Sequence, residues 1–209
     1  ISTAASMAYD VRDNLTSVDG PLPGAGDTAT YIYDSQDRQR GAIGPDPDGA
    51  GPRPHQATRL TFDSLGRAKK VEIGTTTAPT EAALNVMTVF QTVDSVFDAN
   101  GNKIKEVVSG AGITSEVVQS SYDALGRIDC VAQRMDPAQW ASQANACTPQ
   151  TTGPNGPDRI TRILYDPAGQ VIQQQNALGT TAQSNESRSY SSNGQISTVS
   201  DGKGNLTTY

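Results

Sequence analysis

One six-residue pattern returns along this chain and constrains what it can fold into: an aromatic, an Asp, two free positions, a Gly and often an Arg. Its fullest copy is Tyr122-Asp123-Ala124-Leu125-Gly126-Arg127. Phe62-Asp63-Ser64-Leu65-Gly66-Arg67, Phe97-Asp98-Ala99-Asn100-Gly101-Asn102 and Tyr165-Asp166-Pro167-Ala168-Gly169-Gln170 repeat it. Weaker copies stand at Tyr9-Asp10-Val11-Arg12-Asp13-Asn14, Tyr33-Asp34-Ser35-Gln36-Asp37-Arg38 and Tyr190-Ser191-Ser192-Asn193-Gly194-Gln195. The pattern describes a hairpin tip. Asp at the first turn position accepts hydrogen bonds from backbone N–H groups further on. Gly three residues later supplies the positive φ that closes a type I turn with a bulge. Asp13 and Asp37 take that place in two copies, and Asp tolerates the left-handed conformation better than most residues.

The tips predict strands on either side. Before each aromatic, apolar residues alternate: Met7 with Tyr9, Tyr31 with Tyr33, Leu60 with Phe62, Ile163 with Tyr165. Residues two apart share one face of a strand. After the Gly, apolar residues recur two and five positions on, as in Ile128 and Val131, Ala68 and Val71, Ile196 and Val199. Two and five differ in parity, so either the strand carries a bulge or both faces are partly covered. The aromatic positions are 24, 29, 35, 25, 43 and 25 residues apart, a unit near 24 with insertions in the longer gaps. The predicted architecture is all-β: antiparallel hairpin repeats over 1–209, about seven units, in a sheet whose twist makes it coil or spiral. The tips fall near 10–13, 34–37, 63–66, 98–101, 123–126, 166–169 and 191–194. Asp19-Gly20, Gly44-Pro45, Gly74, Gly110-Ala111-Gly112 and Asp201-Gly202 read as the return connections.

These tips resemble the YD-repeat, or Rhs, family, whose consensus is Tyr-Asp-x-x-Gly-Arg-Leu. The likeness runs from Tyr9 to Tyr209. It implies that the sheet is part of a hollow β-shell in a large secreted or surface bacterial protein. It also implies a structural duty, to enclose or display a C-terminal, toxin-like cargo. The partners would then be further repeats of the same polypeptide and that cargo. Some members of the family are discussed as carbohydrate-binding, so the alternative is an adhesin whose repeated Tyr and Trp stack on sugars. Both ends of the chain read as repeat strands rather than polar caps, the pattern of an excerpt.

Composition removes other classes. Net charge is −6 and no basic cluster exceeds Lys69-Lys70, so no nucleic-acid footprint is present. No apolar run approaches the ~20 residues of a membrane span. Gly 20 and Pro 12 argue against a helical bundle. His55 is the single histidine and has no ligand-spaced partner, which removes a Ser-His-Asp set and a metal centre. Asp10, Asp34, Asp63, Asp98, Asp123 and Asp166 recur once per unit. A turn duty explains this where a catalytic carboxylate pair would be singular. No enzyme, cofactor or metal is expected. Asp46-Pro47-Asp48-Gly49 and Asp201-Gly202-Lys203-Gly204-Asn205 lack the acidic spacing of a calcium loop and read as turns. Arg38, Arg67 and Arg127 are expected to pair with the Asp of a neighbouring unit, and the aromatics to form a buried spine.

Three insertions interrupt the repeat. Residues 46–54 form a Pro/Gly loop. Thr80 to Met87 makes either one helical turn or the entry to the next strand. The longest insertion, 132–160, opens with Asp136-Pro137, a cap and first-turn Pro that predict a short helix. Cys130 and Cys147 bracket its first half. Either they form a disulfide that pins the insertion, with an oxidising, extracellular or cell-surface location, or they are two unrelated thiols.

Overall fold

The computed structural model describes residues 4–22, 24, 26–49 and 51–209. Part of the expected first strand and Ala50 of the Pro/Gly loop lie outside them. The strands are β1 (Ser6–Tyr9), β2 (Leu15–Asp19), β3 (Ala29–Tyr33), β4 (Gln39–Ile43), β5 (His55–Phe62), β6 (Ala68–Thr76), β7 (Thr88–Phe97) and β8 (Lys103–Gly110). They continue as β9 (Ile113–Tyr122), β10 (Ile128–Gln133), β11 (Arg159–Tyr165), β12 (Val171–Asn176), β13 (Ser184–Tyr190), β14 (Ile196–Ser200) and β15 (Leu206–Thr208). All fifteen belong to one open antiparallel sheet whose strand order is the chain order. Among the described residues helix is confined to α1 (Glu81–Asn85) and a 3-10 turn at Pro137–Gln139. The chain divides into two compact units, residues 1–95 with 108–115, and residues 96–107 with 116–209.

The bulge settles the parity question that the sequence poses. Tyr122 faces Ile128 while Ser121 faces Cys130, so Asp129 is skipped. The same slip stands beside Tyr9, Tyr33, Phe62, Tyr165 and Tyr190. In these six hairpins one extra residue, the third after the turn's closing residue, brings the two apolar positions onto one face. Ile128 and Val131 thus both oppose the Tyr122 side of β9.

In the first unit α1 covers the other face. Ile32, Ile43, Ala57, Leu84 and Met87 form a buried cluster there, with Val89 against it. A five-residue helix is marginal by itself, and both of its ends are satisfied. The Thr80 hydroxyl accepts from Ala83 N at 3.2 Å. The Arg59 guanidinium donates to the carbonyls of Leu84 and Asn85 at 3.1 and 2.8 Å, and pairs with Glu72 at 2.7 Å. Gly41 permits the close approach, because a Cβ there would lie 2.3 Å from Leu84 Cδ2. Gly41→Ala should therefore cost about 1–3 kcal/mol by overpacking, read as a fall in denaturant midpoint at constant m-value.

In the second unit Cys130, Ala132, Ala146 and Ile160 form the buried cluster, with Cys147 and Leu178 packed on it. Its cover is the long insertion, which begins with Asp136 capping the 3-10 turn through Ala138 N at 3.1 Å. His55 departs from the loop position that its neighbours suggest. It opens β5, half-buried, with a ring nitrogen 3.0 Å from the Gly44 carbonyl, because β4 and β5 pair up to that point.

Candidate functional site

Each tip is closed by its own carboxylate. In Asp123, Oδ1 accepts from the N–H groups of Leu125 and Arg127 at 2.9 and 3.0 Å, and Oδ2 from Arg127 Nε at 2.7 Å. Asp34 and Asp63 repeat this arrangement with Arg38 and Arg67. Asp10 and Asp98 bond Asn14 and Asn102 in the Arg position at 3.1 and 3.0 Å. Gly66, Gly101, Gly126, Gly169 and Gly194 all have positive φ, as do Asp13 and Asp37 in their places. Asp166 accepts from Gln170 N at 2.8 Å. At the tip without an Asp, the Ser191 hydroxyl accepts from Gln195 N at 3.2 Å.

The hydrogen bonds hold these carboxyls below the ordinary range: Asp34 chiefly through the Arg38 side chain, Asp63 and Asp123 chiefly through the N–H of Arg67 and of Arg127. In Asp98 burial opposes ionisation, and the hydrogen bonds from Asn102 and Asn100 outweigh it. A depressed folded pKa stabilises the fold above the unfolded value, about 4, and the contribution is lost as pH falls through the folded one.

Two expectations about the tips are corrected. Arg38, Arg67 and Arg127 pair with the Asp of their own turn, at 2.6, 2.7 and 2.7 Å, since the turn brings residues i and i+4 together. Arg12, by contrast, reaches a neighbouring carboxylate, Asp37, at 3.0 Å. The tip aromatics do not form a packed layer either. Tyr9 is 57% exposed and Tyr33, Phe62, Phe97, Tyr122, Tyr165 and Tyr190 are half-buried. They alternate with Ile32 and Ser121, and so face away from the buried clusters.

What the aromatics do instead is couple one tip to the next. Arg38 lies 4.4 Å over the Phe62 ring and Arg127 4.3 Å over the Tyr165 ring. In the reverse direction, Tyr122, Tyr165 and Tyr190 donate their hydroxyls to the carbonyls of Lys103, Ile128 and Val171, at 3.1, 3.0 and 2.8 Å. Each acceptor stands two residues after the Gly of the preceding tip. Tyr165→Phe keeps the stacked ring and removes one such bond. The variant should lose about 0.5–1.5 kcal/mol, measured by chemical denaturation.

An eighth turn of this kind was not legible as a tip. Asp201 accepts from Lys203 N, Asn205 N and Asn205 Nδ2 at 2.9, 2.8 and 2.7 Å, and Gly204 has φ +86°. No aromatic precedes it, because it joins β14 to β15 at the return end of the hairpins.

The insertion carries a second constellation, which the sequence reading missed altogether. Arg134 and Asp158 form an ion pair at 2.6 Å with both side chains 1% exposed. Arg134 also donates to Gln119 Oε1 at 2.5 Å, Thr148 O at 2.9 Å and Asn145 O at 2.8 Å. Asp158 accepts from the N–H groups of Met135 and Gln150, both at 3.0 Å. Burial opposes its ionisation, but the Met135 N–H, the Arg134 guanidinium and the Gln150 N–H hold the carboxyl below its usual range. Buried Lys105 donates to the carbonyls of Trp140 and Ser142 at 2.6 and 3.1 Å. Desolvation, with the Arg134 charge, pushes its pKa down. The Trp140 indole donates to Arg134 O at 2.9 Å. Cys130 and Cys147 are joined in a disulfide, Cα atoms 5.2 Å apart. Asp129 is the one carboxylate beside them among the described residues, and their sulfurs are spent on each other rather than available as thiolate ligands.

No family model matches the chain, and no curated protein matches it. Among solved structures it is similar to the crystal structure of TcdB2-TccC3-TEV, with 14% identity and a TM-score of 0.37 over 94% of this chain and 11% of that one. Similar too are TcdB2-TccC3-Cdc42 and TcdB2-TccC3, each with 14% identity over 94% of this chain and 13% of theirs, at TM-scores of 0.30 and 0.29. The chain spans little more than a tenth of each. Among the described residues no helix is long and apolar enough to cross a membrane.

Proposed function

We propose that the chain is a wall segment of a YD-repeat, Rhs-type β-shell, part of a large secreted or surface protein that encloses or displays a C-terminal, toxin-like cargo. The observation that carries this reading is the coupling of tips. The Asp, aromatic and Arg of the repeat are spent on closing one turn and gripping the next. Such nearest-neighbour contacts serve an extended array. None of these groups is arranged as a nucleophile with a base. The disulfide fits an oxidising, extracytoplasmic compartment.

The stacked guanidiniums count against the adhesin alternative in its ring-ladder form, since Arg38 and Arg127 already occupy one face of Phe62 and Tyr165. The half-buried Trp140 is committed to Arg134 O.

The test is electron microscopy and limited proteolysis of the full polypeptide that contains these residues. A closed, hollow particle that shields its C-terminal segment from protease is the expected result. An open ribbon with a freely digested C-terminus overturns the reading.

A further inference from the structure

The bulge beside these tips re-aims one side chain per hairpin, and in one hairpin that side chain is a carboxylate next to two sulfurs. The skipped residues are Thr16, Arg40, Lys69, Asp129, Ile172 and Ser197. Asp129 is the only acid among the six and the only one followed by a cysteine. In a regular strand Asp129 and Cys130 would point to opposite faces. The bulge lets both reach one point, where ligand atoms of Asp129, Cys130 and Cys147 all lie within 4.8 Å of one another.

The cross-linked form does not account for this contact. Asp129 Oδ2 stands 3.2 Å from Cys147 Sγ, yet a disulfide sulfur has no proton to donate. The other oxygen, Oδ1, accepts from Arg162 Nε at 3.2 Å. Arg162 thus orients the carboxylate, which turns its second oxygen to the sulfurs. Cys130 is 0% exposed, whereas Cys147 and Asp129 are half-buried, so small solutes reach the group from one side.

The surrounding bonds hold Cys147 in place without the cross-link. Ala146 N donates to Ser121 Oγ and Cys147 N to Asn145 Oδ1, both at 2.8 Å. Arg134 grips the flanking carbonyls, Asn145 O at 2.8 Å and Thr148 O at 2.9 Å. A thiol donor reduces the pair with two electrons and two protons: the S–S bond breaks, both sulfurs become thiols, and the donor is oxidised to its own disulfide. A divalent ion then displaces the two thiol protons to solvent. Two thiolates on one tetrahedral zinc stand about 3.8 Å apart. Cysteines whose Cα atoms are 5.2 Å apart span that separation by turning χ1.

Thiolates select Zn²⁺ over Mg²⁺ and Ca²⁺. Two thiolates, one carboxylate and Zn²⁺ sum to a single negative charge, which Arg162 offsets. Three protein ligands leave the fourth position to water.

We propose that, once reduced, Cys130, Cys147 and Asp129 form a zinc site that replaces the disulfide as the pin of the insertion. The inference goes beyond the wall reading and does not depend on it.

The test is titration of the chain with Zn²⁺, and with Cd²⁺ as its spectroscopic stand-in, after reduction by a phosphine, which leaves no competing thiol. The expected result is one ion per chain. The ultraviolet thiolate-to-cadmium charge-transfer band should be present in the reduced protein and missing from the oxidised one. Zinc should move the denaturant midpoint of the reduced protein back toward that of the oxidised one. Cys147→Ala should abolish both effects. Asp129→Asn, which keeps the side chain's size and an oxygen for Arg162, should weaken zinc binding about tenfold or more, and Asp129→Glu should restore most of it. No saturation at one equivalent, no recovery of the midpoint, or equal affinity in Asp129→Asn would overturn the proposal.

Discussion

Arg134→Met should lower the unfolding free energy by about 3–5 kcal/mol, the usual cost of removing one partner from a buried ion pair. The variant leaves Asp158 ionised at 1% exposure and deprives Gln119 Oε1, Thr148 O and Asn145 O of their donor. Replacing both charges, as in Arg134→Met with Asp158→Leu, should recover much of the loss, because no charge is then stranded. A double-mutant cycle from urea denaturation measures this, and additive losses would show that the pair is not coupled.

The pH profile gives a second readout of opposite sign. In the unsubstituted protein the Asp158 carboxyl lies below its usual range, so its contribution is complete above the unfolded value near 4 and is lost as pH falls through the folded value. Without Arg134 the same carboxyl is buried and lacks its cation, which raises its pKa. Acidification should then relieve the variant rather than harm it. Parallel profiles in the two proteins would contradict this account.

Removing the cross-link by Cys147→Ala should cost about 3 kcal/mol on the chain-entropy estimate for a loop of this length. The bonded residues are 17 apart. Keeping Cys130 leaves the 0% exposed side chain in its cluster, so the change reports on the bond rather than on a cavity. Treating the unsubstituted protein with dithiothreitol should reproduce the variant's denaturant midpoint. Amide exchange should accelerate first across residues 134–148, since the disulfide and the Arg134 network hold the same segment. For that reason the effects of Cys147→Ala and Arg134→Met are not expected to add. An unchanged midpoint in reductant would show that the buried network alone holds the insertion.

The Asp-closed turns and the all-β class were legible in the chain because a turn is a local device. Asp, Gly and the residue after Gly meet within five positions, and their chemistry is the same wherever the turn sits. Even Ser191 and the eighth turn at Asp201 obey it, although the latter lacks the aromatic that marks the others.

Tertiary structure decided whatever depends on partners far along the chain. Parity alone could not choose between a bulge and two covered faces; the pairing of Ser121 with Cys130 does. Arg127 could reach either turn, and geometry gives its charge to the home carboxylate and its flat face to the next ring. Arg134 and Asp158 stand 24 residues apart, and in sequence each looks like an ordinary surface charge. Only folding the insertion onto β9 and β10 removes them from water. Burial, unlike a turn, is a property of the surroundings rather than of a short stretch of residues.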